Sequence, residues 1–436
     1  MTPVERLFAL EQFGIKLGLD AMRGLLDALG NPHRAWPSLH IAGTNGKGSV
    51  SAMTERALRE AGLTTGRYTS PHLFRVEERI ALDGRDIESG RLSDALTRVF
   101  AVVDRLLATG ALAAVPTYFE VSTAAAFLVF ADAGVDVAVV EVGLGGRYDA
   151  TNVITPVAGA ITSIDFDHER HLGSTLGAIA AEKAGIAKAG VPLVVGEVAT
   201  EAWRAIDAAA REAGAPVTRV QDETTVVTGF VDGHVRLSAE TPAGRYGPVR
   251  LALAGLHQAA NALVAIRLLE SFSASSGRRV APSQVEAGLA RVRWPARLEW
   301  LHHPTTGRRV LVDAAHNPAG ARALASYLSM AGVPPVTLVT SIMADKDVAG
   351  VVGPLLPHVA RVVVTEANTR RAMKARALAL EVARHAPAGT PIEEVPDAVA
   401  AVALAVAEEQ PVVLAGSIYL VGPLRAALVD SGFEPA

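Results

Sequence analysis

"HIAGTNGKGSV", residues 40–50, reads as a strand running into a glycine loop that holds a single lysine. A phosphate-binding loop ordinarily follows G-x-x-x-x-G-K-[ST], and the hydroxyl after the lysine binds Mg²⁺. Here Gly48 follows Lys47, Ser49 comes one place late, and Gly43 stands only four residues before the lysine. The flanks decide the reading. "SLHIAG" before the loop has the apolar pattern of a short buried strand, and "SVSAMTERALREAG" after it that of a helix. In that setting Gly43, Gly46 and Gly48 let backbone N–H groups converge on phosphate oxygens, and the helix N-terminus adds its dipole. The plainer alternative is a glycine-rich turn with a surface lysine. The loop leaves open which groups hold a metal.

Outward from the loop, periodicity predicts helices over about 19–30, 89–108 and 119–133, and a small hairpin at Asp83-Gly84. "VDVAVVEVG", "VAGAITSID" and "VPLVVG" are apolar throughout, as in parallel strands covered on both faces, and "TLGAIAAEKAGIAK" between them is helical. From 222 to 253 the text alternates, with turns at Asp232-Gly233 and Ala243-Gly244, which predicts a small antiparallel sheet. Helices around 257–271 and 282–291 follow. "RVRWPARLEW", 291–300, has a proline and no long periodicity, as in a linker. Beyond it "RRVLVDAA", "PVTLVTSI", "RVVVTEA" and "PVVLAGS" are strands between helices. The expected fold is α/β. A P-loop domain over 1–293 has a mostly parallel sheet and a small antiparallel one. After a linker at 294–300 comes a smaller Rossmann-like α/β domain over 301–436.

Composition narrows the function classes. The chain has 436 residues, too many for one core, and a net charge of −4, which favours neither nucleic acid nor an anionic membrane as partner. It has no cysteine, so disulfides, thiolate metal sites and cysteine nucleophiles are excluded. No apolar signal core or membrane-length apolar run is present, and a cytoplasmic enzyme is expected. Only six of the 41 basic residues are lysine (16, 47, 183, 188, 346 and 374). A chain that uses arginine for plain positive charge keeps lysine where a primary amine or compact charge is needed. This singles out Lys47, Lys183 and Lys346, with Lys374 as a solvated leftover.

Hard-oxygen ligands for Mg²⁺ are sought beyond the carboxyl ends of the strands, where open α/β sheets bind ligands. Glu141 ends "VDVAVV", Asp165, Asp167 and His168 follow "AGAITSI", and Ser70 stands in "YTSPHL". Each alone is as ordinary as a solvated strand end. With the loop they form a cluster.

At this point the chain resembles the folylpolyglutamate synthase/dihydrofolate synthase family of the Mur ligase superfamily over nearly its whole length. The resemblance rests on "GIKLGLD", "AGTNGKGS", "YTSPHL", "TYFE", "EVGLGGRYDATN", "TSIDFDHERHLGSTLGAIAAEKAGIAK", "LHQAAN", "WPARLEW", "DAAHNP", "MADKD" and "GSIYLVG", in that order. It implies an ATP-dependent amide ligase that adds L-glutamate to folates or to dihydropteroate through an acyl phosphate. It implies Mg²⁺ at two sites, with Ser70, Glu141 and His168 as ligands and Lys183 as a carbamate assisting the second metal. Lys47, Glu141, His168 and Lys183 are then the catalytic set. ATP contacts fall on Asn45, Gly46, Lys47, Gly48, Ser49, Asn261, Arg297 and Asp313. The pterin region falls on Thr117, Tyr118, Phe119, Glu120, Tyr148, Asp149 and Ala150, with Phe119 stacked on the ring, and His316 is a further substrate contact. The partners implied are small molecules, and a monomer is expected.

Plainer readings stay beside these. Phe119 can be core, Asp313 or His316 can cap the helix after Pro318, and Lys183 can pair with Glu182. Ala314 in "DAAHNP" and Pro423 after Gly422 depart from the family's pattern without removing a polar group. A cell-wall Mur ligase uses the same chemistry, but about 40 residues before the loop leave no room for a separate nucleotide-sugar domain. A P-loop ATPase or switch has no use for "TYFE", and a non-catalytic relative none for an intact Glu141, His168 and Lys183.

Overall fold

The computed structural model describes residues 1–14 and 18–436. Lys16 and the middle of the "GIKLGLD" motif lie outside the described residues.

The first sheet is built from β1 (Ser38–Ala42), β2 (Thr65–Tyr68), β3 (Ile80–Leu82), β4 (Arg85–Asp86), β5 (Val137–Glu141), β6 (Ala158–Ile161), β7 (Leu193–Val195) and β8 (Val217–Arg219). Their order is β4-β3-β2-β5-β1-β6-β7-β8. Only the β2–β3–β4 edge is antiparallel. The strand that feeds the loop, β1, is central, flanked in parallel by β5 and β6. The reason for the unbroken apolar runs is visible in β5. Val137 and Val139 enter one core with the Lys47–Glu60 and His257–Ser276 helices, whereas Ala138 and Val140 enter the core of the Ser89–Ala108 and Tyr118–Ala133 helices on the other face. A strand buried on both faces loses its polar alternation. The chain turns to opposite sides of β1 to reach β2 and β6, so the crevice at its carboxyl end is a topological switch point.

A three-stranded antiparallel sheet, β9 (Thr225–Val231), β10 (His234–Thr241) and β11 (Gly244–Arg250), packs its inner residues Val235, Leu237 and Ala239 into the first of those cores. The carboxyl-terminal sheet has β12 (Glu299–His302), β13 (Arg309–Val312), β14 (Val336–Thr340), β15 (Val359–Val364), β16 (Ile392–Glu394), β17 (Val412–Ala415) and β18 (Glu434–Pro435), in the order β16-β15-β14-β17-β13-β12-β18. The four pairings from β16 to β13 are parallel, and β12 pairs antiparallel with both β13 and β18.

Three strands of this sheet, β12, β16 and β18, differ from the sequence reading. The end of the expected linker, Glu299 and Trp300, is the start of β12. Nothing in "WPARLEW" alternates; the strand is fixed by its partners, with Glu299 opposite Val312 and Leu301 opposite Pro435. The helix after Pro318 is capped by neither Asp313 nor His316. Asn317 is its N-cap, accepting from the Gly320 N–H at 2.9 Å.

Candidate active site

The carboxyl end of β1 opens into a cavity of about 1300 Å³ that residues from both large sheets line. The loop's shape follows from close approaches. Gly43 (φ 147°) leaves no space for a Cβ, which would stand 1.9 Å from Thr162 Oγ1. At Gly46 (φ 86°) it would stand 2.3 Å from Asn261 Oδ1, so Asn261 supports the loop from beneath. Gly48 answers the question its sequence raised. A Cβ there would meet the Trp294 indole, 2.9 Å from Nε1. The ring, covered on another side by the Arg67 guanidinium 4.8 Å from its centroid, occupies the space that a side chain after Lys47 would need. Ser49 faces inward and is buried, within 3.4 Å of Gln258 Nε2.

Lys47, Lys183 and Lys346, the three lysines singled out by composition, all line the cavity. Lys374 is 81% exposed and pairs with Glu366. Lys47 Nζ donates to the carbonyls of Gly43 (3.1 Å) and Thr44 (3.2 Å), and Lys183 Nζ to the same Gly43 carbonyl at 2.9 Å. Lys183 does not pair with Glu182, which faces Arg147 at 3.5 Å. Burial, reinforced by Lys47, pushes the Lys183 amine down to about 7.

Glu141 ends β5 beside them, 4% exposed. Burial pushes its carboxyl up to about 7 against the pull of Lys47 and Arg297, and the Ser70 N–H donates to it. His168, in the left-handed region (φ 52°), is pushed down to about 4 by burial, so its imidazole is neutral near pH 7. A desolvated carboxylate, a hydroxyl and a neutral imidazole are donors that suit a divalent cation, and the cation would relieve the burial of Glu141. The fit to Mg²⁺ is therefore good, although among the described residues no three His, Asp or Glu side chains group as a metal cluster by themselves.

Opposite, Asp167 ties the carboxyl-terminal sheet's loops to the site. Lys346 Nζ donates to Oδ1 at 2.5 Å, Asn317 Nδ2 to Oδ2 at 3.3 Å, and His316 Nε2 lies 3.7 Å from Oδ2. Burial opposes ionisation of Asp167, but His316, His168 and Lys346 outweigh it and hold the carboxyl far below the usual range. Asn317 Nδ2 also donates to Asn45 Oδ1 at 3.0 Å. Arg297 and Asp313 line the same cavity, and Asp313 accepts from the N–H groups of Leu298 and Ala315, each at 2.8 Å.

The remaining predicted residues divide. Phe119 borders the cavity, packed on Tyr68 with centroids 5.9 Å apart and seated on Gly143, where a Cβ would stand 2.4 Å from its Cζ. Tyr148 is 47% exposed at the mouth. Thr117 and Glu120 form the capping box of the Tyr118–Ala133 helix, which commits Glu120 Oε2. Asp149 accepts from Leu144 N–H at 2.9 Å and Thr151 N–H at 3.0 Å, so its oxygens are engaged by the wall it belongs to. Ala150 starts the short helix beside it. Sequence reasoning missed Arg79, which lines the cavity, donates from Nε to His72 at 2.9 Å and lies 5.1 Å from the Tyr118 ring centroid. In "VEERI" it reads as surface charge. Asn317 and Trp294 were inside quoted motifs but carried no expectation of their own.

The Mur ligase middle domain family matches residues 91–269, and the Mur ligase glutamate ligase domain matches residues 296–418. The chain is 41% identical to the dihydrofolate synthase/folylpolyglutamate synthase of Mycobacterium tuberculosis over 383 residues, 83% of this chain and 77% of that one. The chain belongs to this family. Folylpolyglutamate synthase of Lacticaseibacillus casei is 35% identical over 413 residues, 93% of each chain. The crystal structure of the M. tuberculosis folylpolyglutamate synthase complexed with ADP and AMPPCP superposes with a TM-score of 0.90 at 35% identity, covering 99% of both chains. An E. coli family member in complex with DHPP and ADP superposes at 0.86 with 27% identity, covering 99% of this chain and 98% of that one. The family's α/β architecture is that of this chain. Among the described residues no helix is long and apolar enough to cross a membrane.

Proposed function

We propose that the protein is an ATP-dependent ligase that joins L-glutamate to a folate carboxylate, as folylpolyglutamate synthase and, with dihydropteroate as acceptor, as dihydrofolate synthase. The observation that carries the reading is the convergence of Lys47, Glu141 and Lys183 at a glycine loop, in one cavity that Arg297, Asp313 and His316 enter from the other sheet.

A carboxylate oxygen of the folate attacks the γ-phosphorus of ATP, giving an acyl phosphate and ADP. The amino group of glutamate then attacks the acyl carbon, phosphate leaves with the C–O bonding pair, and the nitrogen loses a proton to leave an amide. The loop from Asn45 to Ser49 holds the phosphates, with Lys47 as point charge against the transferring group. Asn261, Arg297 and Asp313 complete the nucleotide site. Phe119 offers its ring to the pterin, with Thr117, Tyr118, Glu120, Tyr148, Asp149 and Ala150 shaping that end and His316 on the opposite side. Ser70, Glu141 and His168 would hold one Mg²⁺, and Lys183, as a carbamate, would help hold a second. Bound metal would neutralise phosphoryl charge. Carbamate formation begins once the ammonium has lost one proton; the neutral amine then adds CO₂ and releases a second, so a cation becomes an anion with two hard oxygens. We take 1–293 and 301–436 as the two domains, closing about 294–300 to keep water from the acyl phosphate. The reading carries with it a monomer working on small molecules in the cytoplasm.

The test measures ADP release with glutamate and either dihydropteroate or tetrahydrofolate, with mass spectrometry of the product. An amide one glutamate heavier is expected. ADP release that needs neither glutamate nor a pterin acceptor would point instead to a simple ATPase and refute the assignment.

A further inference from the structure

The segment that carries Arg297 is bent in a way the sequence does not announce. Ala296 (φ 56°) and Leu298 (φ 49°), the residues on either side of it, both occupy the left-handed region, and both are buried. Side chains other than glycine and asparagine resist that conformation, a bulky one most of all. Two consecutive corners of this kind persist only where neighbours over-determine them. The neighbours here are specific. The Ala296 N–H donates to Glu299 Oε2 at 2.8 Å, and the Leu298 N–H to Asp313 Oδ2 at 2.8 Å. The Ala296 carbonyl accepts from the Ala314 N–H at 3.0 Å and from Arg297 Nη1 at 2.9 Å, which folds the guanidinium back over its own backbone.

Glu299 is in turn gripped from the Ile418–Asp430 helix. Arg425 donates from Nε to Oε2 and from Nη2 to Oε1, each at 2.6 Å, in the parallel two-bond fork that fixes a carboxylate in its plane. One turn earlier on that helix, Gly422 rests directly on the backbone of Leu73, in the loop that carries Ser70. A single helix thus touches the segment that carries Arg297 and the loop that carries Ser70, two of the segments that line the cavity.

We propose that Glu299, held by Arg425, is a positioning residue for Arg297. It pins the Ala296 corner and so fixes where the guanidinium enters the nucleotide site, while touching no substrate itself. The proposal rests on the function proposed above, in which Arg297 contacts the nucleotide.

The experiment compares Glu299→Ala, Arg297→Ala and the double variant by ADP affinity from calorimetry and by kcat and KM for ATP in the ligase assay. A guanidinium displaced by about an ångström costs up to ~100-fold, so Glu299→Ala is expected to weaken ADP binding and lower kcat/KM by about tenfold or more. The double variant is expected to be no worse than Arg297→Ala alone, because the two act in series. Arg425→Lys keeps the charge, loses the fork, and falls between. If Glu299→Ala does not fold, Glu299→Gln carries the test, since it keeps an oxygen for the Ala296 N–H but sets an amide N–H₂ against Arg425 Nη2 and so breaks the fork, with the same loss of ADP affinity expected in smaller measure. A lowered melting point with unchanged ADP affinity and kcat/KM would make Glu299 merely structural and overturn the proposal, as would additive effects in the double variant. Calorimetry separates this from the functional reading. A chain that binds ADP but makes no amide refutes the ligase, and the Glu299 and Arg297 affinities still decide the positioning.

Discussion

Gly422→Ala adds one methyl group far from the cavity's reacting atoms, and the structure says where it goes. A Cβ at Gly422 would stand 1.8 Å from the Leu73 carbonyl oxygen and 2.4 Å from its carbon. An ordinary carbon–oxygen contact is about 3.3 Å, so the helix and the loop must separate by roughly 1.5 Å. Neither side can yield by rotating a side chain, because both are backbone. The loop is also stiff. The N–H groups of Leu73, Phe74 and Arg75 all donate to the Glu78 carboxylate, at 2.7, 3.1 and 2.8 Å. Two outcomes are open to the chain. If the units stay seated, overpacking costs about 1–3 kcal/mol and the melting point falls by a few degrees. If they part, the displacement passes to Ser70, three residues before Leu73, whose N–H holds Glu141. A catalytic group misplaced by about 1 Å costs up to ~100-fold in turnover. Separation is the expected response, since the helix reaches the loop across the interface between the two sheets' units. kcat for ADP release at saturating substrates should fall by about tenfold to 100-fold while far-ultraviolet circular dichroism is unchanged. A variant with kcat within about twofold of the parent would refute the reasoning, because the contact would then be too soft to transmit anything.

Glu141→Gln keeps the shape of the strand end and removes its charge; ligase turnover should fall by about 100-fold or more and the Mg²⁺ requirement rise, as a Mg²⁺ titration of ADP release would read. Because the charged form is the one that burial penalises, the same variant should melt no lower than the parent, and retained activity at ordinary Mg²⁺ would reject the metal role. Lys183→Arg should lose nearly all activity, because a guanidinium stays cationic where the carbamate is an anion, and ¹³C-bicarbonate should give the parent, not the variant, a carbamate resonance at neutral pH; an active variant with no resonance in either protein would sink the carbamate. His40, fully buried on β1 with Nε2 2.9 Å from Thr151 Oγ1, is pushed down to about 3 by burial and then by Lys188. Its folded value lies below the unfolded value of about 6.5, so the unfolded chain binds the extra proton between those limits. The stability that neutral His40 permits is full above pH ~6.5 and is lost as pH falls toward ~3, at up to about 1.4 kcal/mol per unit. Denaturant titrations of His40→Gln between pH 7 and 5 should show a flatter decline than the parent, and parallel curves would show that His40 does not titrate in this way.

Residues near one another in sequence made much of this protein legible before any contact was known. Strand, loop and helix around Lys47 are local patterns, and so are the apolar runs of β5 and β6 and the alternation of β9 to β11. The scarcity of lysine pointed to Lys47, Lys183 and Lys346, which share the cavity although they lie far apart in the chain. What needed tertiary structure was whatever one segment imposes on another. No pattern around Gly48 says that Trp294, from the expected linker, fills the space where a hydroxyl would stand. β12 became a strand because Val312 and Pro435 pair with it, not because "WPARLEW" favours one. Asp313 and His316, equal candidates for a helix cap, left that task to Asn317, since the chain's direction out of β13 turns Asp313 back onto the Leu298 N–H. The left-handed corners at Ala296 and Leu298 are the extreme case. Their own side chains disfavour them, and bonds to other residues, among them the carboxylates of Glu299 and Asp313, hold them in place.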